Sequence, residues 1–403
     1  MKTLVINTGS SSIKYQLLDM PDGRILCSGL LERIGEAKGR IIHKTGEEKN
    51  EKKYTFDEII PDHQTGMNRL AKLISDPEIG VISNVNEVKL VGHRIVHGGD
   101  RFHSITRIDD KVKDAIVELS NLAPLHNPAN LIGINTAEHV FPDAEQVGVF
   151  DTAFHQSIPE TAFRYALPER FYKVNGIRAY GFHGTSHRYV SRIAAQFLNK
   201  KPEETSLITL HLGNGASVCA VKNGKSIDTS LGMSTITGLV MGTRVGDIDP
   251  GVIIYMQEML GLGYKEVKKI LTSESGLLGL SGDNDLRSLS KRYEEGDPQA
   301  ILALSIYSYR IKKYIGAYLA AIGKIDALVF TAGVGENSAL IRALSTQDLE
   351  HIGIALDPSK NEEKSSVQRD ISSKGASIKT LVIPTNEEYE IARQAYALVN
   401  EAI

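Results

Sequence analysis

The chain has 403 residues, of which 41% are hydrophobic, and a formal charge of -3 at neutral pH. This length is about three times that of a usual domain, and because no Pro- or Ser-rich linker interrupts it, two closely packed domains are predicted. The near-neutral charge argues against nucleic-acid and anionic-membrane partners. The short apolar start and the absence of an 18-residue apolar stretch predict a cytoplasmic protein without a signal peptide or membrane span.

A β-hairpin is the first predicted element, and it returns near mid-chain. Residues 4–18 read as two strand-like runs around the small-residue turn Asn7–Ser12, and residues 207–221 repeat this around His211–Ser217. A repeat at half the chain length predicts two related domains, each opening with strand, glycine turn and strand. The alternative is a chance match, since Gly/Ser hairpins are common.

The remaining segments alternate between helical and strand-like patterns. Helices are predicted at 66–75, 110–122, 298–319 and 389–401, and strands at 87–96, 145–151 and 327–330. This mixture predicts an α/β fold with mixed sheets and long connecting helices. We expect an N-terminal domain of residues 1–150 plus 386–403 and a C-terminal domain of residues 151–385. The short mixed-charge runs Glu47–Lys53 and Glu362–Lys364 are interpreted as solvated loops.

Three glycine-containing turns follow strands: Asn7–Ser12, His211–Ser217 and Thr331–Asn337. Glycine allows backbone N–H groups to approach an anion closely, although a single such turn is often only a tight turn. Neither a P-loop motif nor a complete Gly-x-Gly-x-x-Gly is present, which disfavours P-loop enzymes and dinucleotide oxidoreductases. Three separate turns favour a nucleotide held between two lobes.

Arginines and histidines recur in small-residue surroundings, as in GHRIVHGG, PLHNP, VFDTAFH, GFHGTSH and GLVMGTRVGDIDPG. Arg94 and Arg244 stand beside glycine or β-branched residues, where the aliphatic stem of an arginine does not pack along a helix. A functional role is therefore favoured for both, because phosphoryl transfer needs such cations. Asp151 stands at the end of an apolar strand, which is a typical position for a functional carboxylate. For His97, His126 and His155 a core or supporting position is favoured. The histidines that occur in pairs do not form the motif His-Glu-x-x-His, so a zinc site is disfavoured.

The motifs NTGSSSIKY, GHRIVHGG, VFDTAFHQSIP, YGFHGTSHRYV, HLGNGAS, MGTRVGDIDPG, TAGVGENS and PTNEE occur in order along the chain. Together they resemble the acetate kinase family. The resemblance implies the acetate and sugar kinase, hsp70 and actin superfamily fold, with two similar ribonuclease-H-like domains and ATP in the cleft between them. It also implies reversible transfer of the ATP γ-phosphoryl group to acetate, a Mg²⁺ cofactor with Mn²⁺ as an alternative, and a homodimer.

The resemblance also implies residue roles. Asn7 and Glu387 would organise Mg²⁺ through water, Arg94 would bind the acyl carboxylate, His183 and Arg244 would stabilise the transferring phosphoryl group, and Asp151 would be catalytic. The residues implied for ATP phosphates are Lys14, His211, Leu212, Gly213, Asn214 and Gly215. Those implied for the adenosine end are Asp285, Leu286, Arg287, Gly333, Val334, Gly335, Glu336 and Asn337.

Acetate should be ionised at neutral pH, because its pKa should lie close to that of Glu, about 4.3. No general base is then needed, and we hypothesise that Asp151 mainly orients Arg94, Arg244 or a Mg²⁺-bound water. Val96, Leu125 and Phe182 are candidates for setting acyl size.

One departure from the family pattern bears on selectivity. Thr235 stands where the family usually has a proline, which leaves the choice between acetate and propionate open. A propionate or butyrate kinase therefore remains an alternative, and so does a nucleotide-driven binding protein of the actin or chaperone kind.

Overall fold

The structure is a computed structural model, and it describes residues 1–46 and 50–400. The chain forms two compact units. The first unit comprises Met1–Ala153 together with Asn386–Ile403, and the second comprises Phe154–Thr385.

The first unit is built on a mixed sheet with the order β5-β4-β3-β2-β1-β6-β8-β7. Its strands are β1 Lys2–Thr8, β2 Ser12–Asp19, β3 Arg24–Glu32, β4 Gly39–Thr45, β5 Lys52–Glu58, β6 Val88–Ile95, β7 Thr106–Arg107 and β8 Glu145–Phe150. Its helices are α1 His63–Ile74, α2 Asp110–Leu119, α3 Asn127–Val140 and α15 Glu387–Asn400.

The second unit has a mixed sheet with the order β11-β10-β9-β12-β14-β13. Its strands are β9 Leu207–Leu212, β10 Ala216–Lys222, β11 Lys225–Thr229, β12 Ala327–Thr331, β13 Arg369–Asp370 and β14 Lys379–Val382. Its helices are α4 Glu160–Phe163, α5 Glu169–Asn175, α6 Gly184–Phe197, α7 Pro250–Glu258, α8 Tyr264–Ser273, α9 Gly276–Ser281, α10 Leu286–Glu294, α11 Pro298–Ile322, α12 Ala332–Asn337, α13 Ala339–Thr346 and α14 Pro358–Glu362.

The two sheets share one topology. The order β3-β2-β1-β6-β8 in the first unit corresponds to β11-β10-β9-β12-β14 in the second. In both, three antiparallel strands are followed by two that run parallel to the first strand of the hairpin. The prediction of two similar α/β domains with mixed sheets is therefore confirmed, and the hairpin repeat is not a chance match.

Burial on both faces explains why β1 is continuously apolar. Leu4 and Ile6 pack with residues of α1 and α3, whereas Val5 faces Ile391 and Ala392 of α15. A strand covered on both faces needs apolar residues at every position. The packing that buries β1 thus also places the start of α15 on the first sheet.

Three predictions about individual segments need correction. Residues 47–49 of the Glu47–Lys53 run lie outside the described residues, but Lys52 and Lys53 begin β5, so the loop interpretation is wrong for them. The glycine turn predicted at Thr331–Asn337 is the short helix α12. The last helix begins earlier than predicted, at Glu387, and Glu401 is not among the described residues. Within residues 1–46 and 50–400, no helix is long and apolar enough to cross a bilayer.

Candidate active site

Functional side chains of the first unit come from the carboxyl ends of its parallel strands, where ligand sites of α/β sheets usually lie. Asn7 is near the end of β1 and Arg94 near the end of the neighbouring β6. Asp151 directly follows β8, and its N–H donates to the carbonyl of Ile95 at 2.9 Å. The sheet pairing therefore brings Arg94 and Asp151 together.

Arg94 is held by Asp151 in a bidentate ion pair. Its Nε lies 3.1 and 3.2 Å from the two carboxylate oxygens, and its Nη2 lies 2.6 Å from Oδ2. Asp151 is only 1% exposed, whereas Arg94 is 20% exposed. Nη1 of Arg94 makes no hydrogen bond within the described residues, so one edge of the guanidinium remains available to a ligand.

The first two residues of α15 extend this cluster. The Glu388 carboxylate lies 2.5 Å from Nζ of Lys14. Burial raises the pKa of Glu387, Arg94 opposes the shift, and the Asp151 carboxylate adds to it. Burial alone would lower the pKa of Arg94, but Asp151 and Glu387 raise it above its ordinary value.

The charges of this cluster leave room for a further cation. Asp151, Glu387 and Glu388 supply three carboxylates, and Arg94 and Lys14 supply two cations. Oε1 of Glu387 is buried and has no hydrogen-bond partner within the described residues. A buried, unpaired carboxylate oxygen is costly unless a proton or a cation satisfies it. A carboxylate oxygen of this kind is a ligand that a hard divalent cation prefers.

The predicted acyl-size residues are in different surroundings. Val96 is half-buried two residues after Arg94, and its N–H donates to Oδ1 of Asn130 at 3.1 Å. The side chain of Leu125 is 68% exposed. Phe182 belongs to the second unit, where it is buried and its carbonyl accepts from Nε2 of His155 at 2.9 Å.

The histidines outside these clusters are mostly structural. His97 and His155 are buried, as predicted, whereas His126 is exposed, which excludes a core position for it and leaves its supporting position a prediction. His93 contacts Gln146 at 2.8 Å, and burial lowers its pKa to about 4. Across residues 1–46 and 50–400, no group of three or more His, Cys, Asp or Glu side chains is placed to hold a metal ion.

In the second unit, His183 and Arg244 converge on the turn between β9 and β10. His183 precedes α6 with a left-handed backbone (φ 56°), and its Nδ1 lies 2.9 Å from Oγ of Ser217. Its ring stacks on that of His211 with centroids 4.2 Å apart. A Cβ at Gly215 would lie 3.5 Å from Nη1 of Arg244 and 3.6 Å from Nε2 of His183.

Arg244 is a half-buried cation without an acidic partner among the described residues. Its Nη1 donates to the carbonyl of Thr235 at 3.1 Å. Burial lowers its pKa, and no carboxylate of the described residues counters the shift. Keeping an arginine charged in such a place is costly unless an anion compensates it. Arg244 and His183 therefore form a candidate anion site beside Gly215.

A cavity of about 920 Å³ in the second unit gathers most residues predicted to meet the nucleotide. The predicted residues that line it are Gly213, Asn214, Asp285, Leu286, Arg287, Gly333, Val334, Glu336 and Asn337. The predicted residues that do not line it are Lys14, His211, Leu212, Gly215 and Gly335. Its volume lies at the upper end of the range for small-molecule sites, about 300–1,000 Å³.

Helix α12 contributes one wall of this cavity. It begins directly after β12, and the left-handed backbone falls on Ala332 (φ 63°) and not on either glycine of the motif. A non-glycine residue in this region is strained, and such strain clusters at functional sites. Because the left-handed backbone falls on Ala332, Gly333 and Gly335 both lie within α12 without a positive φ.

The sequence matches the Acetokinase family over residues 2–393. The chain belongs to this family. An acetate kinase of Flavobacterium johnsoniae is 50% identical over 401 residues, covering 99% of this chain and all of that protein. The crystal structure of Porphyromonas gingivalis acetate kinase is 43% identical, with a TM-score of 0.93 and 99% of both chains covered. A propionate kinase from Francisella tularensis is 38% identical, with a TM-score of 0.90, covering 98% of this chain and 99% of that one.

Several cavity residues were missed by the sequence analysis. Glu362 is the last residue of α14, so the loop interpretation is wrong for it. Glu362, Glu363 and Lys364 are all exposed, as predicted, but they also line the cavity. Arg342 and Arg369 line it as well. No local pattern marks them, because tertiary packing brings them there from the segments that follow α12.

Arg342 ties two cavity walls together. It is 2% exposed, and its Nη1 donates to the carbonyls of Gly335 and Glu336 in α12 at 2.9 and 3.0 Å. Its Nε and Nη2 donate to the side chain and carbonyl of Asn361 at 2.7 and 2.5 Å. Asn361 immediately precedes the cavity-lining residues 362–365. Burial, and then the nearby Arg369, lower the pKa of Arg342 to about 10.

We expect Arg342→Met to raise the KM for ATP about tenfold and to leave the KM for acetate within twofold, because the two walls lose their common donor. Steady-state kinetics with each substrate varied in turn would measure this. Val221→Ala, in the core of the second unit, is the control for general destabilisation. An unchanged KM for ATP, or the same rise in both variants, would contradict the assignment.

Proposed function

We propose that the protein transfers the γ-phosphoryl group of ATP to acetate, reversibly, giving acetyl phosphate and ADP. The observation that carries the proposal is the Arg94–Asp151 pair, in which a buried carboxylate fixes an arginine whose Nη1 remains available. Such an arginine suits a small carboxylate. Full-length similarity to proteins named acetate kinase supports the same substrate.

The acceptor needs no general base, since acetate is ionised at neutral pH. An acetate oxygen attacks the γ-phosphorus, a new P–O bond forms, and the bond to the bridging oxygen of ADP breaks. Arg94 binds and orients the acceptor. Asp151 orients Arg94, because both of its oxygens are already engaged by that guanidinium. Positioning and charge neutralisation are the main requirements of phosphoryl transfer.

The second unit would provide the donor side. The cavity lined by α12 and the start of α10 would hold the adenosine end of ATP. His183 and Arg244, at the β9–β10 turn, would neutralise charge on the transferring group. Cations aimed at developing charge are usually the largest single contribution to catalysis.

Asn7 and Glu387 would hold Mg²⁺, partly through water. The unpartnered, buried Oε1 of Glu387 and the excess of carboxylates around it support this assignment. When bound, the metal would neutralise charge on the ATP phosphates. Lys14 would meet these phosphates by exchanging its Glu388 partner for them.

A propionate kinase is the second candidate, because Thr235 departs from the family pattern and supplies the carbonyl that Arg244 binds. The test is ADP release from Mg-ATP with acetate, propionate, butyrate or no acid, with hydroxylamine to trap acyl phosphate. We expect hydroxamate with acetate and a specificity constant that falls along the series, by about 10-fold or more per methylene. A maximum at propionate would favour the second candidate, and ADP release unaffected by any acid would favour a nucleotide-driven binding protein.

We also propose a homodimer that associates through the α7 face, defined as residues 250–264. Helix α7 has no buried residue, and the face exposes Ile254, Tyr255, Met259, Leu260 and Tyr264 by 53–70%. Contiguous exposed apolar surface of this kind marks interaction sites. The sequence of this segment contains one charged residue, Glu258. A nearly neutral face suits an isologous contact, in which the same surface meets itself.

The double variant Tyr255→Glu/Met259→Glu should be monomeric in sedimentation velocity at concentrations where the wild type is dimeric, because association would bury four carboxylates. Val174→Glu, at a side chain 79% exposed in α5, is the matched control and should remain dimeric. A dimeric double variant would contradict the proposed face.

A further inference from the structure

The segment that carries Arg244 is a closed loop, residues 238–247, called here the Arg244 loop. Its first and last residues, Gly238 and Asp247, are bonded to each other and are called here the neck. N–H of Asp247 donates to the carbonyl of Gly238 at 3.0 Å, and N–H of Gly238 donates to Oδ1 of Asp247 at 2.7 Å. Gly238 and Gly246 have φ of 91° and 76°. A Cβ at either would come within 2.6 Å of a backbone oxygen, so glycine is required at both.

Helix α11 holds this neck from outside. Hydroxyl Oη of Tyr314 donates to Oδ2 of Asp247 at 2.8 Å. Nη1 of Arg310, one turn earlier on the helix, donates to the carbonyls of Gly238 and Asp247 at 3.1 and 3.2 Å. The guanidinium also lies 3.7 Å from Oδ2 of Asp247. Both ends of the loop are thus fastened to one 25-residue helix.

The far side of the loop is held by backbone contacts at the start of α9. N–H groups of Leu277 and Leu278 donate to the carbonyls of Met241 and Gly242, each at 2.9 Å. A Cβ at Gly276 would lie 2.2 Å from the Met241 oxygen. The backbone around Arg244 is therefore fixed on this side mainly by backbone hydrogen bonds, to which Oγ1 of Thr243 adds one to the carbonyl of Thr272 at 3.2 Å. The neck, in contrast, depends on the side chains of Asp247, Arg310 and Tyr314.

We propose that Asp247, Arg310 and Tyr314 form a clamp that positions Arg244 for phosphoryl transfer. The inference rests on the proposed function and deepens it. None of the three touches substrate in this assignment, so they are positioning residues that act through Arg244. A glycine-rich loop with two left-handed glycines has many alternative conformations, and the neck bonds select the one that points Arg244 toward Gly215. A displacement of about 1 Å can lower a rate 10²-fold.

The predicted signature is a fall in kcat that depends on Arg244. Asp247→Ala should lower kcat of ATP- and acetate-dependent turnover about tenfold or more, with both KM values within about threefold. In the Arg244→Ala background the same change should alter kcat less than twofold, because nothing remains to be positioned. If Asp247 contributed only to general stability, Asp247→Ala would lower kcat by the same factor with and without Arg244, so the effects of the two substitutions would be additive.

Asp249→Ala is the matched control. It removes the same charge two residues later, where Oδ1 accepts from the Gly251 N–H at the start of α7. Its kcat should stay within twofold of the wild type. Tyr314→Phe, which removes one hydroxyl, should lower kcat about threefold and serves if Asp247→Ala does not fold.

Hydrogen exchange gives a readout independent of turnover: backbone amides 239–246 should exchange faster in Asp247→Ala than in Asp249→Ala. Equal kcat in the two variants, a full Asp247→Ala effect in the Arg244→Ala background, or equal exchange would overturn the clamp. Absence of acetate-dependent turnover in the wild type would instead overturn the proposed function.

Discussion

Replacing Arg244 by alanine is expected to lower kcat of acetate-dependent ADP formation by about 10²–10³-fold, the usual cost of losing one well-placed charged donor. The structure supports a large effect, because Arg244 is half-buried, has no carboxylate partner among the described residues, and lies with His183 beside the β9–β10 turn. Its charge is therefore available to an incoming anion and not already neutralised.

Arg164→Ala is the matched control for Arg244→Ala. Arg164 is in the same unit, but it is paired with Glu160 one helical turn away. A pair of this kind contributes little, about 0.3–0.5 kcal/mol. Arg164→Ala should keep wild-type kinetics, and Arg244→Lys should recover part of the lost rate. Near-wild-type turnover by Arg244→Ala would remove Arg244 from the proposed mechanism.

Arg94→Ala should lower kcat/KM for acetate by about 10²–10³-fold or more, since it removes the proposed carboxylate ligand. It also leaves Asp151 buried beside Glu387 without a cation, and breaking such a pair costs about 3–5 kcal/mol. Loss of activity must therefore be separated from loss of fold by thermal unfolding and by a direct measurement of ADP binding. We expect ADP binding in the second unit to survive.

Asp151→Asn separates orientation from charge. The amide keeps the size of the side chain, but only one of its two terminal atoms can accept hydrogen bonds, so the bidentate contact with Arg94 is lost. If Asp151 orients Arg94, the variant should lose at least tenfold in kcat/KM for acetate, with the KM for ATP nearly unchanged. Retention of most activity would argue against any major role that depends on the charge of Asp151.

The sequence predicted the parts of the fold that depend on local patterns. The hairpin at residues 4–18 and its repeat at 207–221 are strand pairs because apolar β-branched runs flank small-residue turns. Local alternation does not indicate that α15 returns to the first sheet, although the predicted first domain included residues 386–403. That placement follows from nonlocal packing of Ile391 against Val5 and against Gly92 of β6.

Among the candidate-site residues, too, those marked by a local pattern were predicted and those placed by nonlocal packing were not. Gly213 and Gly333, which the glycine motifs and the family resemblance assigned to ATP, both line the cavity of the second unit, and their contact with a nucleotide stays a prediction. Arg342 and Arg310 could not be found in this way. Each lies on a helix that reads as an ordinary amphipathic segment, and its role depends on carbonyls that the fold brings to it.

The central claim is that the acetate carboxylate is the phosphoryl acceptor, and oxygen labelling tests it most directly. The protein would be incubated with Mg-ATP and acetate carrying ¹⁸O in both carboxyl positions, and the product cleaved with hydroxylamine, which attacks the carbonyl carbon and expels phosphate. Mass spectrometry of that phosphate should show one ¹⁸O atom per molecule, formed in step with ADP and acetohydroxamate. ADP formation without labelled phosphate, or at a rate that does not depend on acetate, would contradict the account.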